Sequence, residues 1–255
     1  MLFYETLRFF IGPMVKLRTR LKIEGQDNVP DLGPALVVCN HRSALDPVIL
    51  AYSVRNRYIN FGAASWSWKV PGYRQLHEWS GAFPLTLTGG KGDAELGRGL
   101  ELLEDGEMVG IFPEGGEAIL NPSTAVKIRK FKTGFARLAL KARVPVIPCA
   151  VIGLSERRIP AVPSPYIEKL TGRQADKEYS SVIYRRAACR IGRPLDLGSL
   201  CDEPVNKALL DEVTAKVRQV IIKLYNGDEP GRFLTGETHF DFVNERVGGS
   251  EGKLL

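Results

Sequence analysis

Short apolar runs alternate with segments of helical spacing along most of this chain, and that alternation constrains its fold more than any other feature. The run Ala35–Cys39, between Gly33-Pro34 and a polar loop, is typical of a strand that is buried on both faces. Buried strands that alternate with helices form a largely parallel sheet. We therefore predict an α/β fold, a single domain in which helices flank a largely parallel mixed sheet.

The remaining elements follow from the same patterns. Further strands are predicted at Tyr58–Gly62, Ala82–Leu85, Met108–Phe112, Val146–Ile152 and Val182–Ile191. Helices are predicted at about Pro47–Val54, in a segment capped by Asp93, and at Thr133–Ala142. A long amphipathic helix is predicted after Asp202 from Val205, Leu209, Val213, Val217, Ile221 and Leu224. This helix closes a domain predicted to span residues 23–247, and the Gly-rich residues 248–255 are predicted to be a disordered tail.

Composition limits the class of protein. With 255 residues, 44% of them apolar, the chain can bury a core that needs no disulfide or metal. Its four cysteines form no C-x-x-C pair, so we expect neither a zinc site nor a redox motif, and a reducing compartment fits best. The longest stretches without a charged residue have 12 residues, whereas a membrane-spanning helix needs about 20. We expect no secretory signal and a cytoplasmic protein.

Residues 1–22 combine apolar residues at helical spacing with a basic flank. The cations are Arg8, Lys16, Arg18, Arg20 and Lys22. The pattern predicts an amphipathic segment of one or two helices at a membrane interface. It is equally typical of a helix that packs on its own protein, and both interpretations can hold on different faces.

The net charge of +6 is unevenly distributed. Residues 201–255 hold 7 Lys and Arg against 10 Asp and Glu, so residues 1–200 carry +9. Residues 118–155 contain no acid and seven cations: Lys127, Arg129, Lys130, Lys132, Arg137, Lys141 and Arg143. This distribution predicts a positive face and an anionic partner.

His41 is the strongest candidate for chemistry among the three histidines of the chain. It directly follows Ala35–Cys39 and Asn40, and ligands of an open α/β sheet bind beyond the carboxyl ends of its strands. Histidine is the usual general base for an alcohol, and a carboxylate on its other ring nitrogen fixes the tautomer. Asp46 is the nearest carboxylate in the sequence, but five residues along an ideal helix leave two side chains about 140° apart. Asp46 therefore meets His41 only if the loop bends back, and its alternative role is an N-cap before Pro47.

This loop resembles the His-x4-Asp signature of the glycerolipid acyltransferases, the family that includes lysophosphatidic acid acyltransferase. The signature here is Asn40-His41-x-Ser43-x-x-Asp46. Three further blocks follow in the family's order: Ser80-Gly81-Ala82-Phe83-Pro84-Leu85, Ile111-Phe112-Pro113-Glu114-Gly115 and Val144-Pro145-Val146-Ile147-Pro148. Phe131–Ala139 is similar to the segment between the last two blocks. Each block alone is weak, but four in order are a strong signal.

The resemblance implies a glycerol-3-phosphate acyltransferase-like fold and transfer of a fatty acyl group from acyl-CoA or acyl-ACP to a lipid hydroxyl. The expected acceptor is a lysophospholipid, foremost 1-acylglycerol-3-phosphate, which would give phosphatidate. His41 would deprotonate the acceptor hydroxyl and Asp46 would support the imidazolium, so no acyl-enzyme, metal or cofactor is expected.

The third block would bind substrate through Phe112, Pro113, Glu114 and Gly115. The resemblance implies that Glu114 binds acceptor hydroxyls, and the alternative is that it pairs with a nearby Lys or Arg. Backbone N–H groups at Gly115-Gly116 would hold the oxyanion, because glycine permits close approach of the chain.

Two positions depart from the family's pattern. Thr86 stands near a place where the family commonly has a basic residue that meets the acceptor phosphate, and Gly116-Glu117 replace the usual Thr-Arg. A carboxylate in place of an arginine reverses the charge. One alternative is that nearby cations fold back over the site, with Arg129 and Lys132 as binding residues beside Lys127 and Lys130. The other is an acceptor without a phosphomonoester, such as a lyso-aminolipid or glycolipid.

Trp66, Trp68 and Trp79 lie within 14 positions, which favours contact with a bilayer or an acyl chain, although core packing is equally consistent. The predicted partners are the lysolipid, the acyl thioester and an anionic membrane surface, not nucleic acid. The protein is predicted to be attached peripherally to the inner face of the membrane. The rival class is a non-catalytic basic protein that binds membranes or nucleic acid.

Overall fold

Helices and strands alternate through the residues that the computed structural model describes, which are 2–54, 57–69, 73–85, 96–120, 127–160, 169, 180–227 and 241–242. The α-helices of these ranges are α1 (Leu2–Thr19), α2 (Asp46–Ser53), α3 (Tyr73–Ser80), α4 (Gly97–Glu104), α5 (Glu117–Leu120), α6 (Gly134–Ala142) and α7 (Lys207–Asn226). The strands are β1 (Lys22–Glu24), β2 (Ala35–Cys39), β3 (Ile59–Ala64), β4 (Phe83–Leu85), β5 (Met108–Ile111), β6 (Val146–Pro160), β7 (Ser180–Ile191), β8 (Leu195–Asp196) and β9 (Asp241–Phe242). Short 3-10 turns lie at 26–28, 65–69 and 198–202.

The strands of the described ranges form one sheet in the order β1-β7-β6-β2-β5-β3-β4, with β8 beside β6 and β9 beside β8. β2 is parallel to β5 and β6, and β3 is parallel to β4 and β5. β7 runs antiparallel to β6, as does β8. The predicted α/β fold with a largely parallel mixed sheet is confirmed. Sequence patterns missed β1, β8 and β9, because strands of two or three residues are too short to show a period.

Both faces of the sheet are covered, because the central strand β2 is apolar on both. All five of its residues have 0% exposed surface. Leu36 and Val38 belong to one cluster with residues of α4, α6 and α7, whereas Val37 and Cys39 belong to a second cluster with residues of α1 and α2. Alternation of side chains along a strand produces this division.

Helix α1 continues through Pro13 to Thr19 and has two different faces. One face packs on α2, where a Cβ atom added at Gly12 would lie 2.1 Å from a ring carbon of Tyr52. The other face exposes four large apolar residues: Phe9, Phe10, Met14 and Leu17 are 74%, 68%, 61% and 83% exposed. Packing on the chain's own core therefore accounts for only one face of α1. Within the described ranges, no helix combines the length and the apolar character needed to cross a bilayer.

Several element boundaries differ from the predicted ones. β6 continues to Pro160 rather than ending at Ile152, because it pairs with β7 over most of its length. Helix α7 begins only at Lys207, where the side chain of Asn206 accepts a hydrogen bond from the N–H of Leu209. Asp93 and residues 248–255 lie outside the described residues, so the predicted cap and tail stay predictions.

Candidate active site

The first and third sequence blocks meet because their strands are neighbours. β2 ends at Cys39 and β5 ends at Ile111, and the parallel register pairs Val38 with Ile111. The loops that follow therefore leave the same edge of the sheet, where open α/β folds bind their ligands. The ring of His41, from the first loop, stacks on Phe112 of the second with centroids 4.2 Å apart. The fourth block lies elsewhere: Val146 and Pro148 are paired with β2 inside the sheet.

His41 and Asp46 are in direct contact. Nδ1 of His41 lies 3.0 Å from Oδ2 of Asp46, and the two residues are 9% and 0% exposed. The loop bends back because the same Oδ2 accepts the backbone N–H groups of Arg42 and Ser43 at 2.6 and 2.7 Å. Asp46 is the first residue of α2 and Leu45 is its N-cap, so the alternative role of Asp46 as an N-cap is wrong. Its carboxylate faces the loop instead of the helix.

The other side chains of this loop are fastened to β6 and β7. Asn40 exchanges two hydrogen bonds with the backbone of Val151, at 2.9 and 2.8 Å. The hydroxyl of Ser43 donates to the carbonyl of Val182 at 2.6 Å. The guanidinium of Arg42 makes two bonds to Glu156, at 2.7 and 2.9 Å. None of these three partners belongs to the four sequence blocks.

Glu156 is held by two cations. Burial opposes its ionisation, but the hydrogen bond and charge of Arg42, together with Lys127, outweigh burial and lower the pKa of Glu156. Nζ of Lys127 lies 3.3 Å from its Oε2. One alternative from the sequence named Lys127 among four cations that could fold back over the site, and in the structure its ammonium group pairs with a carboxylate.

The second oxygen of the Asp46 carboxylate binds Tyr184. Oη of Tyr184 donates to Oδ1 of Asp46 at 2.7 Å, and Tyr184 is only 4% exposed. Burial, with the Asp46 carboxylate beside it, raises the pKa of Tyr184 well above its ordinary value, so the phenol keeps its proton at neutral pH. Sequence reasoning missed Tyr184 and Glu156, because they lie 138 and 114 residues from their partners in strands without a motif.

Glu114 joins three loops. It is 5% exposed, its Oε1 accepts the N–H of His41 at 2.8 Å and its Oε2 accepts the N–H of Arg129 at 2.7 Å. Burial raises the pKa of Glu114, although both N–H groups favour the ionised form. The contact with Arg129 is therefore made through its backbone. The predicted contact of Glu114 with acceptor hydroxyls stays a prediction.

The turn after Glu114 requires glycine. Gly115 has φ +79°, and its N–H donates to the carbonyl of Phe112 at 3.0 Å. This N–H closes the turn, so the structure does not support its predicted role as an oxyanion donor. Gly116 packs closely on Trp66, where an added Cβ would lie 2.9 Å from the indole.

The segment 127–132 lies against the third block, and binding of the acceptor phosphate by its cations stays a prediction. The N–H of Lys132 donates to the carbonyl of Pro113 at 2.9 Å, and a Cβ added at Gly115 would lie 3.1 Å from Nζ of Lys132. From α7, Arg218 donates to the carbonyls of Ile128 and Arg129. Glu117 begins α5, and Thr86 lies outside the described residues.

The predicted positive face stays a prediction, and the cations of residues 118–155 do not all lie at one end of the sheet. Lys132 lies at the edge of the sheet that holds His41, but α6 then carries the chain to the opposite edge, where β6 begins. There Arg143 pairs with Asp202 at 2.8 Å. Lys132 and Arg143 therefore lie toward opposite ends of the parallel strands.

His77 lies next to a serine hydroxyl, but it does not act on that hydroxyl as a base. Nε2 of His77 lies 2.9 Å from Oγ of Ser67, which also lies 2.7 Å from the carbonyl of Ala64. A hydroxyl has one proton, and Ser67 donates it to the carbonyl, so His77 is the donor and not a base. Burial lowers the pKa of His77, which keeps the ring neutral. This pair is structural.

The tryptophan side chains that the structure describes are partly buried, and their contact with a bilayer or an acyl chain stays a prediction. Trp66 and Trp68 are half-buried, and Trp68 lies 5.0 Å from His77 between ring centroids. The side chain of Trp79 lies outside the described residues. All four cysteines are free, three of them buried. Across the residues that the structure describes, no cluster of three or more His, Cys, Asp or Glu is arranged to hold a metal ion.

The fold and the His–Asp loop at the carboxyl edge of the sheet define a known class of protein. Residues 20–152, more than half of the chain, match the family model described as Acyltransferase, so the chain belongs to the acyltransferase family. The crystal structure of the 1-acyl-sn-glycerophosphate (LPA) acyltransferase PlsC from Thermotoga maritima has a TM-score of 0.57 and 20% identity, covering 87% of this chain and 79% of that chain. The predicted acyltransferase-like fold is thereby confirmed.

Two curated relatives add detail. An uncharacterized protein of Mycobacterium tuberculosis is 29% identical over 159 residues, which are 59% of this chain and 41% of that protein. The 1-acyl-sn-glycerol-3-phosphate acyltransferase of Bacillus subtilis is 25% identical over 146 residues, which are 56% of this chain and 67% of that protein. The chain thus spans about two fifths of the length of the first of these relatives.

Proposed function

We propose that this protein transfers a fatty acyl group from acyl-CoA or acyl-ACP to the hydroxyl of a lysophospholipid, foremost 1-acylglycerol-3-phosphate, with phosphatidate as product. The observation that carries the proposal is the contact of 3.0 Å between His41 and Asp46 in a buried loop at the ligand-binding edge of the sheet. Family membership supports acyl transfer. The acceptor named for the Bacillus subtilis relative supports a glycerophosphate.

The His41–Asp46 pair accounts for the chemistry. With Nδ1 donating to Asp46, Nε2 is the ring atom that takes the proton of the acceptor hydroxyl. The alkoxide attacks the carbonyl carbon of the thioester, the new ester C–O bond forms and the C–S bond breaks. The imidazolium, stabilised by Asp46, returns its proton to the thiolate leaving group. The reaction needs no cofactor beyond the acyl thioester.

The acceptor phosphate has a cation available. The ammonium of Lys132 lies beside Gly115, next to the loop that stacks on His41. Lys132 is therefore the residue that we propose binds the acceptor phosphate. The second candidate is a phosphate-free lysolipid, which is favoured by the carboxylate of Glu117 at a position where the family usually has arginine.

Product analysis tests both proposals. Purified wild type, His41→Ala and the matched control His77→Ala are mixed with a long-chain acyl thioester and a panel of lysolipids, and products are identified by mass spectrometry. We expect wild type and His77→Ala to acylate lysophosphatidate, and His41→Ala to lose more than about 100-fold in rate. Full turnover by folded His41→Ala would overturn the mechanism. Absence of any acylated product from wild type would favour the non-catalytic alternative.

The acceptor is decided by a separate comparison. If Lys132 binds the phosphate, Lys132→Ala raises KM for lysophosphatidate and leaves KM for a lysolipid without a phosphomonoester unchanged. Selective acylation of aminolipid or glycolipid acceptors by wild type would instead establish the second candidate.

We also propose that α1 attaches the protein peripherally to an anionic membrane, on its inner face. Four apolar side chains of α1 point away from the protein. Their exposure to water is unfavourable unless another apolar phase covers them. Lys16 and Arg18 of the same helix are exposed on either side of Leu17 in the sequence, so positive charge accompanies these apolar side chains. Apolar residues bordered by cations suit the interface of an anionic bilayer.

A further inference from the structure

Tyr184 lies outside residues 20–152 that match the family model, yet it binds Asp46. We propose that Tyr184 is a positioning residue of the His41–Asp46 pair: its hydroxyl fixes the Asp46 carboxylate and withdraws part of the negative charge that this carboxylate presents to His41. The consequence for rate rests on the proposed function, whereas the consequence for His41 titration does not.

The geometry leaves Oδ1 of Asp46 dependent on Tyr184. Oδ2 already accepts three N–H groups, those of the His41 ring and of the Arg42 and Ser43 backbone. Oδ1 accepts the hydroxyl of Tyr184. Because Asp46 has 0% exposed surface, bulk water does not reach Oδ1 to replace that hydroxyl. The hydroxyl therefore determines how the carboxylate is turned toward His41.

Tyr184 is itself rigidly placed. The antiparallel register pairs Tyr184 of β7 with Glu156 of β6, and Glu156 holds Arg42. Two residues earlier on β7, the carbonyl of Val182 holds the hydroxyl of Ser43. Neighbouring residues of β6 and β7 thus form hydrogen bonds with three residues of this segment, Arg42, Ser43 and Asp46. A hydroxyl held by a strand of the sheet is well suited to orienting a catalytic carboxylate.

The sign of the electrostatic effect follows from the direction of the hydrogen bond. The phenol places its hydrogen, the positive end of the O–H dipole, on the carboxylate that would stabilise an imidazolium. Removing this dipole leaves more negative charge available to His41 and raises its affinity for a proton. The other titratable groups around the pair remain unchanged in a Tyr184→Phe variant: Cys39, Arg42, Glu114, Glu156, Cys189 and Tyr225.

An NMR titration of the histidine ring signals tests the inference without any assay of activity. The chain has three histidines, so the His41 signal is assigned by its absence in His41→Ala. In Tyr184→Phe we expect the midpoint of the His41 titration to move upward by about half a pH unit, a roughly threefold change in proton affinity. The matched control is Tyr58→Phe. Tyr58 directly precedes β3, at the other edge of the sheet, and its part-buried hydroxyl donates to the carbonyl of Ser80. In Tyr58→Phe, the midpoint of the His41 titration should equal that of wild type.

Two further measurements make the outcome decisive. Incorporation of 3-fluorotyrosine, a more acidic phenol, should move the His41 midpoint downward, and it needs no folded Tyr184→Phe protein. In acyl transfer, the acid limb of the pH profile of kcat should move upward with the NMR midpoint, whereas KM should change little. An unshifted His41 midpoint in both modified proteins overturns the inference, even if Tyr184→Phe is less active. Absence of turnover in wild type overturns the proposed function alone.

Discussion

At the scale of single residues, the Glu114 carboxylate holds neighbouring loops together through hydrogen bonds. Each of its oxygens accepts one backbone N–H, from His41 and from Arg129, and both of these residues lie outside the helices and strands. A buried acceptor that serves two amides is costly to change, because both donors then lose their partner. Glu114 therefore stabilises the position of the His41 backbone as well as the third block.

Glu114→Gln should lower the free energy of unfolding by about 1–3 kcal/mol, because the amide group places a donor against one of the two N–H groups. Urea denaturation at neutral pH measures this loss. The matched control is Glu101→Gln on the surface of α4, where the side chain is 61% exposed and the expected change is within about 0.5 kcal/mol. Equal changes in the two variants would contradict the role assigned to Glu114.

At the scale of elements, helix α1 connects two environments. Its inner face depends on the absence of a side chain at Gly12, which lets the helix approach the ring of Tyr52. Its outer face carries apolar residues that are exposed and do not pack in the protein core. The two faces are therefore testable by different measurements, one of stability and one of membrane affinity.

Gly12→Ala should destabilise the protein by about 1–2 kcal/mol, because overlap with Tyr52 outweighs the better helix propensity of alanine. Gly97→Ala in α4 is the control, since a Cβ added there meets nothing within 4 Å. That variant should be neutral or up to about 1 kcal/mol more stable. Thermal unfolding of both variants measures the difference, and a stabilised Gly12→Ala would show that α1 does not pack on α2 as described.

Leu17→Ser should weaken binding to vesicles of phosphatidylglycerol and phosphatidylcholine about tenfold, because an apolar side chain no longer enters the bilayer. Leu32→Ser is the matched control: Leu32 is 87% exposed, as Leu17 is at 83%, but it lies outside α1. Co-sedimentation measures both affinities, and their thermal stabilities should equal that of wild type. An equal effect of the two substitutions would exclude a specific role of α1.

At the scale of the whole molecule, the loop of His41 is tied to the strands β6 and β7 across the sheet. The pair of Arg42 and Glu156 makes this connection sensitive to pH. The pKa of Glu156 is lower in the folded protein than in the unfolded chain, so its stabilising contribution is present above about pH 4.3 and is lost as the pH falls through the folded value.

Glu156→Gln should therefore be less stable than wild type at pH 7, and the difference in free energy of unfolding should shrink on acidification. Urea denaturation between pH 7 and the acid transition measures the trend, with Glu101→Gln as the exposed control on α4. A difference that is constant with pH would contradict the ionic link between Arg42 and Glu156.

Much of the fold was predictable, because buried strands such as β2 are apolar on both faces and reveal themselves as unbroken runs. The position of His41 was predictable for the same reason, since it directly follows such a strand. The bend that brings Asp46 back to His41 was not, because it depends on backbone amides of Arg42 and Ser43. The roles of Tyr184 and Glu156 depend on the register of β6 and β7, which the spacing of residues does not encode.

The bonds from Arg42, Ser43 and Asp46 to β6 and β7 also bear on how such proteins diversify. The segment that matches the family model ends at residue 152, but three supports of its signature loop, Glu156, Val182 and Tyr184, lie beyond that boundary. A gene fusion that joined this segment to the second half of a distant relative would keep the signature and lose its scaffold. Successful recombination must therefore carry Glu156 and Tyr184, or equivalents of both, as a single inherited unit.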